Sequence, residues 1–209
     1  MDLLREEKKL KKKGFRLIAG IDEVGRGPLA GPVTACALVV LKNKFRIPKA
    51  LKGIDDSKKL TAKKRENYYN LLKDYSCMKW GIGRASERVI DRINILEATK
   101  LAMQRAVSNL EKKIDKKIDF LIIDGNFKIN SSISQKSISK ADQKVFSVMA
   151  ASIIAKVKRD KAMQRLHKKY PDYCFNSNKG YPTKVHFALL RKKGPSKVHR
   201  KSFYPVSSY

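Results

Sequence analysis

The sequence predicts an α/β layer fold built as one domain with a small appendage at most, and three observations predict it. Short apolar runs of β character alternate along the chain with stretches whose apolar residues recur at helical spacing. The chain has 209 residues, enough for one sizeable core and too few for a multi-domain machine. Apolar residues make up 42% of it, so burial can offset the ordering entropy that leaves more polar chains disordered.

The elements follow in order. After a basic lead-in, Phe15–Ile21 (FRLIAGI) reads as a short buried strand that stops at Asp22 and Glu23. The turn-rich VGRGPLAGP leads to a second strand, Val33–Leu41 (VTACALVVL). A connection with several glycines and prolines between two β-type runs suggests antiparallel neighbours. A loop over Lys52–Lys59 precedes a helix opened by Thr61 as N-cap, with Tyr68, Leu71 and Leu72 on its inner side. Met78–Ala85 (MKWGIGRA) reads as a third strand weakened by its glycines. Asn94–Leu110 is the clearest helix: Asn94 caps, Glu97 takes the capping-box position, and Leu96, Met103, Ala106, Val107 and Leu110 recur at helical spacing. Phe120–Ile123 (FLII) is a continuous apolar strand ending at Asp124. From Asp142 the pattern is helical to about Tyr170, where Pro171 stops it, and one short helix follows near Lys184–Lys192. No internal repeat or clean linker interrupts the chain.

Lys and Arg number 48 against 19 Asp and Glu, a formal net charge of +29. That excess runs from Lys8 to Lys201 and points to a polyanionic partner, nucleic acid ahead of a membrane surface, although Lys-rich genomic composition would also raise it. Cys36, Cys77 and Cys174 are far apart in the sequence and match no metal-ligand spacing, so reduced thiols are expected. The N-terminal MDLLREEKKLKKKG has no apolar core of a leader, which leads us to expect a cytosolic protein. The longest nearly apolar runs, Val33–Leu41 and Val145–Ala155, fall short of the ~20 residues that cross a bilayer.

Acids are scarce, so acids at the ends of apolar strands are informative. Asp22, Glu23 and Asp124 stand there. In an open α/β sheet central strand ends converge on one crevice, and carboxylates gathered there repel unless a hard cation such as Mg²⁺ or Mn²⁺ joins them. A basic protein with an acidic metal-binding centre suits a two-metal phosphodiesterase. Each acid also has a plainer reading: a solvated strand end for Asp22 and Glu23, an Asx turn for Asp124 before Gly125, an N-cap for Asp142. The residues alone leave both readings open. The loop Gly25-Arg26-Gly27 is no dinucleotide fingerprint, because its spacing is wrong and no helix follows it. It is either a bare tight turn or exposed backbone that reads a sugar hydroxyl.

Seven blocks then carry a resemblance: IDEVGRGPLAGPV (Ile21–Val33), DSKKL (Asp56–Leu60), NILEATKLAMQRAV (Asn94–Val107), LIIDGN (Leu121–Asn126), AASIIAKVKRD (Ala150–Asp160), KGYPTKVH (Lys179–His186) and HRKSFYPV (His199–Val206). Together, in this order and over nearly the whole chain, they resemble the ribonuclease HII family. The resemblance implies a ribonuclease H-like fold, a mixed five-stranded sheet flanked by helices, over residues 1–165, with a small helical C-terminal region over 166–209 packed on it. It implies four metal-binding and catalytic carboxylates, Asp22, Glu23, Asp124 and Asp142, holding two divalent ions, Mn²⁺ or Mg²⁺. It also implies that the Gly25-Arg26-Gly27 backbone and Tyr181 recognise a ribonucleotide through its 2′-OH. Ser57, Lys58 and Lys59 would hold backbone phosphates, where a solvated charge run is the plainer reading.

The expected activity is endonucleolytic hydrolysis of the RNA strand of RNA-DNA hybrids, and of single ribonucleotides embedded in DNA, leaving 3′-OH and 5′-phosphate ends. Removal of ribonucleotides from DNA is the expected cellular role. Lys156 and Arg159 are expected near phosphate. Asp160 is expected in an ion pair with surrounding Lys and Arg, and His167, His186 and His199 are poor ligands for hard ions. Two departures from the family pattern are Ala141 before Asp142, where glycine is usual, and SVMAAS for SIAAAS. The short N-terminal lead argues against ribonuclease HIII, and no sliding-clamp peptide is seen at FYPVSSY; a monomer suffices. Two other readings are a non-catalytic basic RNA-binding protein and a 3′-5′ exonuclease, whose first motif is typically Asp-x-Glu rather than adjacent acids.

Overall fold

A computed structural model describes residues 2–54, 57 and 60–209. Its centre is a sheet of five strands among the described residues: β1 (Ile18–Val24), β2 (Val33–Val40), β3 (Met78–Ala85), β4 (Phe120–Asp124) and β5 (Ser134–Ile138), in the order β3-β2-β1-β4-β5. β1 runs antiparallel to β2, and β2 to β3, while β1, β4 and β5 are parallel, so the sheet is mixed. The antiparallel β1–β2 pair is the one expected from the turn-rich connection.

β1 begins three residues later than the apolar run does, for a local reason. The Asp119 carboxylate accepts from the backbone N–H groups of Arg16 and Leu17 at 2.9 and 2.8 Å, which holds the entering chain out of the ladder. The end of the strand shifts accordingly, and Asp22 and Glu23 lie inside it, just before its last residue Val24, rather than in the turn beyond it.

The helices are α1 (Arg5–Lys12), α2 (Ala62–Asp74), α3 (Glu87–Ile114), α4 (Phe146–Lys169), the one-turn α5 (Phe175–Asn178) and α6 (Lys184–Lys193). α3 covers one sheet face with Ala98, Ala102, Met103 and Ala106 against Ala35, Ala37 and Ile123. Gly81 and Gly83 in β3 make this possible: a Cβ on either would lie 2.1 and 1.9 Å from the carbonyl oxygens of Ala106 and Ala102. The glycines that weaken β3 as a strand seat the helix on it. Asn94 caps as expected, its Oδ1 accepting from Leu96 and Glu97 N–H at 2.9 and 3.1 Å. Its backbone is left-handed at φ 63°, because a further helical stretch from Glu87 precedes it across a kink.

α4 covers the other face, with Ile153, Ile154 and Met149 in a cluster with Leu38 and, from α2, Leu72 and Tyr69. Thr61 caps α2 as expected, accepting from Lys64 N–H at 3.3 Å, while Tyr68 and Leu71 are half-buried at the edge of that cluster. α4 begins at Phe146, after Val145, so Asp142 does not cap it. Asp142 lies in a separate 3₁₀ turn, Ala141–Gln143, entered through left-handed Lys140. Two elements had no apolar signal. β5 (SQKSI) is a half-exposed edge strand, and α1 uses Glu7 and Leu10 as its inward residues. A third cluster of Leu29, Ala30, Met163, Phe175 and Leu190 fastens the C-terminal residues to α4 and the β1–β2 connection. No helix among the described residues is long and apolar enough to cross a membrane.

Candidate active site

The register of the two parallel strands brings the acids together. Ile21 lies opposite Ile123, so the next residues, Asp22 near the end of β1 and Asp124 at the end of β4, lie on neighbouring strands a few ångströms apart. Asp124 Oδ1 accepts from the Ala141 N–H at 2.6 Å, which draws the 3₁₀ turn and its buried Asp142 to the same strand ends. Glu23 follows Asp22 directly, and its carboxylate lies 3.6 Å from the Arg26 guanidinium. Ser152, on α4, hydrogen-bonds to Asp22, and its hydroxyl lies 2.8 Å from that of Ser57. Since the Ser152 proton goes to the carboxylate, Ser57 donates to Ser152. Ser57 is therefore turned inward, in a chain of hydroxyls that ends on an acid. Lys58 and Lys59, expected beside it on phosphates, lie outside the described residues.

Asp22 is 5% exposed. Burial pushes its carboxyl well above the usual carboxylate range, and the negative charges of Glu23 and Asp124 add to that, against the opposing hydrogen bonds from Ser152 and the Glu23 N–H. Among the described residues no group of three or more His, Cys, Asp and Glu side chains forms a ready metal cage. The donor set nevertheless suits a hard divalent cation: carboxylate oxygens at the ends of two strands, one of them destabilised by burial and by its neighbours' charge, gain most from a positive charge placed between them.

Beside the acids, the Gly25-Arg26-Gly27 loop turns at Gly25, whose φ is 96°. A Cβ there would meet Arg159 Nε at 2.2 Å, so glycine is needed on both counts. Arg26 and Gly27 are exposed, and a Cβ on Gly27 would have open space around it. Tyr181 stands on an adjoining segment, tied to this connection by the Leu29 N–H donating to the Gly180 carbonyl at 2.8 Å. Its ring is 36% exposed and has Arg159 and Lys156 at 5.6 and 5.8 Å from its centre.

Arg159 and Lys156, expected near phosphate, have protein partners of their own. Arg159 is fully buried and donates to the carbonyls of Pro32, Lys179 and Ala30 at 3.0, 3.0 and 3.3 Å. Lys156 pairs with Asp160 at 2.9 Å, and Arg65 adds a contact at 3.7 Å, so Asp160 is in the ion pairs expected of it. His186 and His199 bind each other rather than a metal, Nε2 to Nε2 at 3.0 Å. The Ser196 N–H donates to His199 Nδ1 at 2.9 Å, which places the His199 proton on Nε2 and leaves His186 Nδ1 to donate to the Tyr181 carbonyl at 2.9 Å. The sequence reasoning missed this support, and it missed Arg200. Arg200 lies between Lys197 and Lys201, where nothing local sets it apart from a solvated cation.

Comparison with known proteins gives a consistent result. The family model described as Ribonuclease HII matches residues 19–206. A ribonuclease HII of Desulfitobacterium hafniense (strain DSM 10664 / DCB-2) is 48% identical over 204 residues, 98% of this chain and 75% of the relative. The crystal structure of ribonuclease H2 from Pyrococcus horikoshii OT3 superposes with a TM-score of 0.69 at 26% identity, covering 92% of this chain and 96% of that one. That of Bst-RNase HIII in complex with Mn²⁺ gives 0.71 at 19% identity, over 91% of this chain and 68% of that one, a likeness of fold.

Proposed function

The chain belongs to the ribonuclease HII family and is a ribonuclease H-type endonuclease acting on nucleic acid, and we propose that it cuts the RNA strand of RNA-DNA hybrids and single ribonucleotides embedded in duplex DNA. The observation that supports this most is the β1–β4 register, which sets Asp22 beside Asp124 while the Ala141 hydrogen bond brings Asp142 to them. Asp22, Glu23, Asp124 and Asp142 would hold two divalent ions, Mg²⁺ or Mn²⁺; Mn²⁺ is present in the Bst-RNase HIII structure. When bound, such ions activate a water and offset charge on the phosphate, leaving 3′-OH and 5′-phosphate ends.

The chain's own residues position and select. Asp22 and Asp124 are fixed by hydrogen bonds from Ser152, Glu23 N–H and Ala141 N–H, so few rotamers remain to be lost on binding. The Gly25–Gly27 backbone offers close approach to a sugar 2′-OH, the group that separates RNA from DNA, and the exposed Tyr181 ring offers a stacking face for the adjoining sugar. Lys58 and Lys59 would contact backbone phosphates from the Ser57 segment. Residues 1–165 would carry the chemistry and 166–209 the packing and Tyr181. The cellular role would be ribonucleotide removal from DNA by a monomer in the cytoplasm.

The test is incision of a labelled DNA duplex carrying one ribonucleotide, with Mg²⁺, Mn²⁺ or EDTA, by the wild type and Asp124→Asn. Metal-dependent incision 5′ to the ribonucleotide, reduced by at least roughly 10²-fold in the variant, is the expected result. Tight binding without incision in either metal would reject it.

A further inference from the structure

Arg200 is fully buried, and among the described residues it touches no carboxylate. Its guanidinium is instead satisfied by backbone. It donates from Nη1 to the Arg26 carbonyl at 2.7 Å, from Nη2 to the Gly25 carbonyl at 2.6 Å, and from Nε and Nη2 to the Gly31 carbonyl at 3.0 and 2.9 Å. Burial, with the nearby positive charge of Arg159, holds its pKa down to about 9, which still leaves it charged at neutral pH. Taking a cation out of water is costly; the Phe203 ring at 5.0 Å and the more distant charges of Asp91 and Glu87 offset part of that. Every hydrogen bond that its guanidinium makes among the described residues goes to a carbonyl, two of them in the loop that the proposed function needs.

The carbonyls matter because a peptide is rigid. Both peptides concerned are trans, and a trans peptide points its N–H opposite to its C=O. With the Gly25 carbonyl drawn inward, the Arg26 N–H faces outward; with the Arg26 carbonyl drawn inward, the Gly27 N–H does the same. Among the described residues nothing accepts from either N–H, and both residues are exposed. Being exposed, these two adjacent donors are open to water in the unbound protein and to a ligand that displaces it. We infer that Arg200 is a positioning residue that presets the Gly25-Arg26-Gly27 loop, holding two carbonyls inward so that the Arg26 and Gly27 N–H groups are aimed at the ribonucleotide before it binds.

The same segment is built for the task. His199 bridges to Ala30, the Arg200 N–H donates to the Leu29 carbonyl at 2.8 Å, and the Gly31 N–H donates to the Val198 carbonyl at 2.9 Å. Arg200 thus arrives on a short antiparallel pairing with the chain that follows the loop. Arg159 clamps the far side, joining Ala30 and Pro32 to Lys179 beside Tyr181. Two buried arginines therefore set the loop and Tyr181 in fixed relation, and preorganisation of this kind removes an ordering cost from the bound state.

This assignment rests on the ribonuclease reading above, and the experiment separates the two. The full-length wild type, Arg200→Lys and Arg200→Met are compared on a DNA duplex with one ribonucleotide, with thermal melting as the folding control. A lysine keeps the charge but cannot span three carbonyls. For folded variants the expected result is a kcat lower by roughly 10²-fold, the size of loss that a misplacement of about 1 Å produces, with KM unchanged within about twofold because phosphate contacts carry binding. A purely structural Arg200 would lower the melting point and leave kcat intact in the folded fraction, and that result overturns the inference. Amide exchange on the wild type, read by NMR in EDTA, does not depend on either variant folding. The Arg26 and Gly27 amides should exchange freely in the unbound protein and become protected by the ribonucleotide duplex but not by an all-DNA duplex. Protection already present in the unbound protein overturns the inference. Wild type that leaves the ribonucleotide uncut in both metals rejects the ribonuclease reading itself, whatever the variants do.

Discussion

At the residue scale, the two kinds of buried ionisable group pull in opposite directions, and each yields a measurement. Asp22 is a carboxylate held against burial and against Glu23 and Asp124, so its charge is there at the expense of the fold. Asp22→Asn keeps an oxygen for the Glu23 N–H and removes the repulsion. The variant should melt higher by roughly 2–4 °C, the shift that about 1 kcal/mol makes in a chain of this size, while losing incision. A lower melting point would show that the carboxylate is structural. The His186–His199 pair depends on both rings being neutral, since a second proton would put two donors face to face. Burial, then His186, lowers the His199 pKa from 6.5 to about 4, and burial lowers that of His186. An unfolded chain therefore binds more protons between about pH 4 and 6.5, so the pair's contribution is fully present above pH 6.5. It is lost as pH falls through that window, at up to about 1.4 kcal/mol per pH unit for one ring. The raised carboxyls of Glu7 and Asp22 act with the opposite sign, so the difference between wild type and His199→Phe isolates it. Thermal melts from pH 7 to 4.5 should show the wild type losing its advantage; parallel curves would remove the histidines from the account.

At the element scale, Asn94 is the joint on which the long helix bends. It combines a left-handed backbone with a side chain that caps the next stretch. Asn94→Ala loses the cap and strains the backbone, and should cost about 1–2 kcal/mol in chemical denaturation. Asn94→Gly loses the cap but tolerates φ 63°, and should cost clearly less; equal costs would mean the backbone conformation contributes nothing. Asn94 as a cap was legible because Asn-x-x-Glu before an apolar repeat is a local signal. The helical stretch before it was not, since a kink at a positive-φ residue looks in sequence like a start. β5 was illegible for a different reason: an edge strand with polar residues has no need of an apolar face, and SQKSI shows no alternation to find. The four acids stood out because acids are rare here, but their meeting depends on the β1–β4 register and on Ala141 bonding Asp124, which no local pattern encodes. Arg200 was hidden in a run with Lys197 and Lys201, where a cation bonded to carbonyls is spelled like a solvated one. The inward turn of Ser57 was hidden likewise: a place beside Lys58 and Lys59 reads as a solvated run, while its hydroxyl donates to Ser152.

At the scale of the whole molecule, the charge cannot be settled internally. With 48 basic side chains and 19 acidic ones, pairing every acid once would still leave 29 cations. Some acids are also committed elsewhere: Asp22 and Asp124 to the strand ends, Asp119 and Asp91 to backbone N–H groups. The long-range field is therefore positive around a small acidic centre. Such a field draws a polyanion to the surface whatever its sugar, and leaves discrimination to the loop and Tyr181. Binding and selection are thus carried by different groups and should separate experimentally. Asp124→Asn, expected to bind without cutting, allows affinity for an all-DNA duplex and for one with a single ribonucleotide to be followed against salt. If about six phosphates are neutralised, both should lose affinity with a log-log slope near −5. The two lines should run parallel, because counterion release is common to both, and their offset should be the contribution of the 2′-OH contacts alone. A slope much shallower than this for either duplex would mean that the excess charge faces solvent rather than phosphate. Lines that converge at high salt would mean that the loop reads charge rather than the hydroxyl.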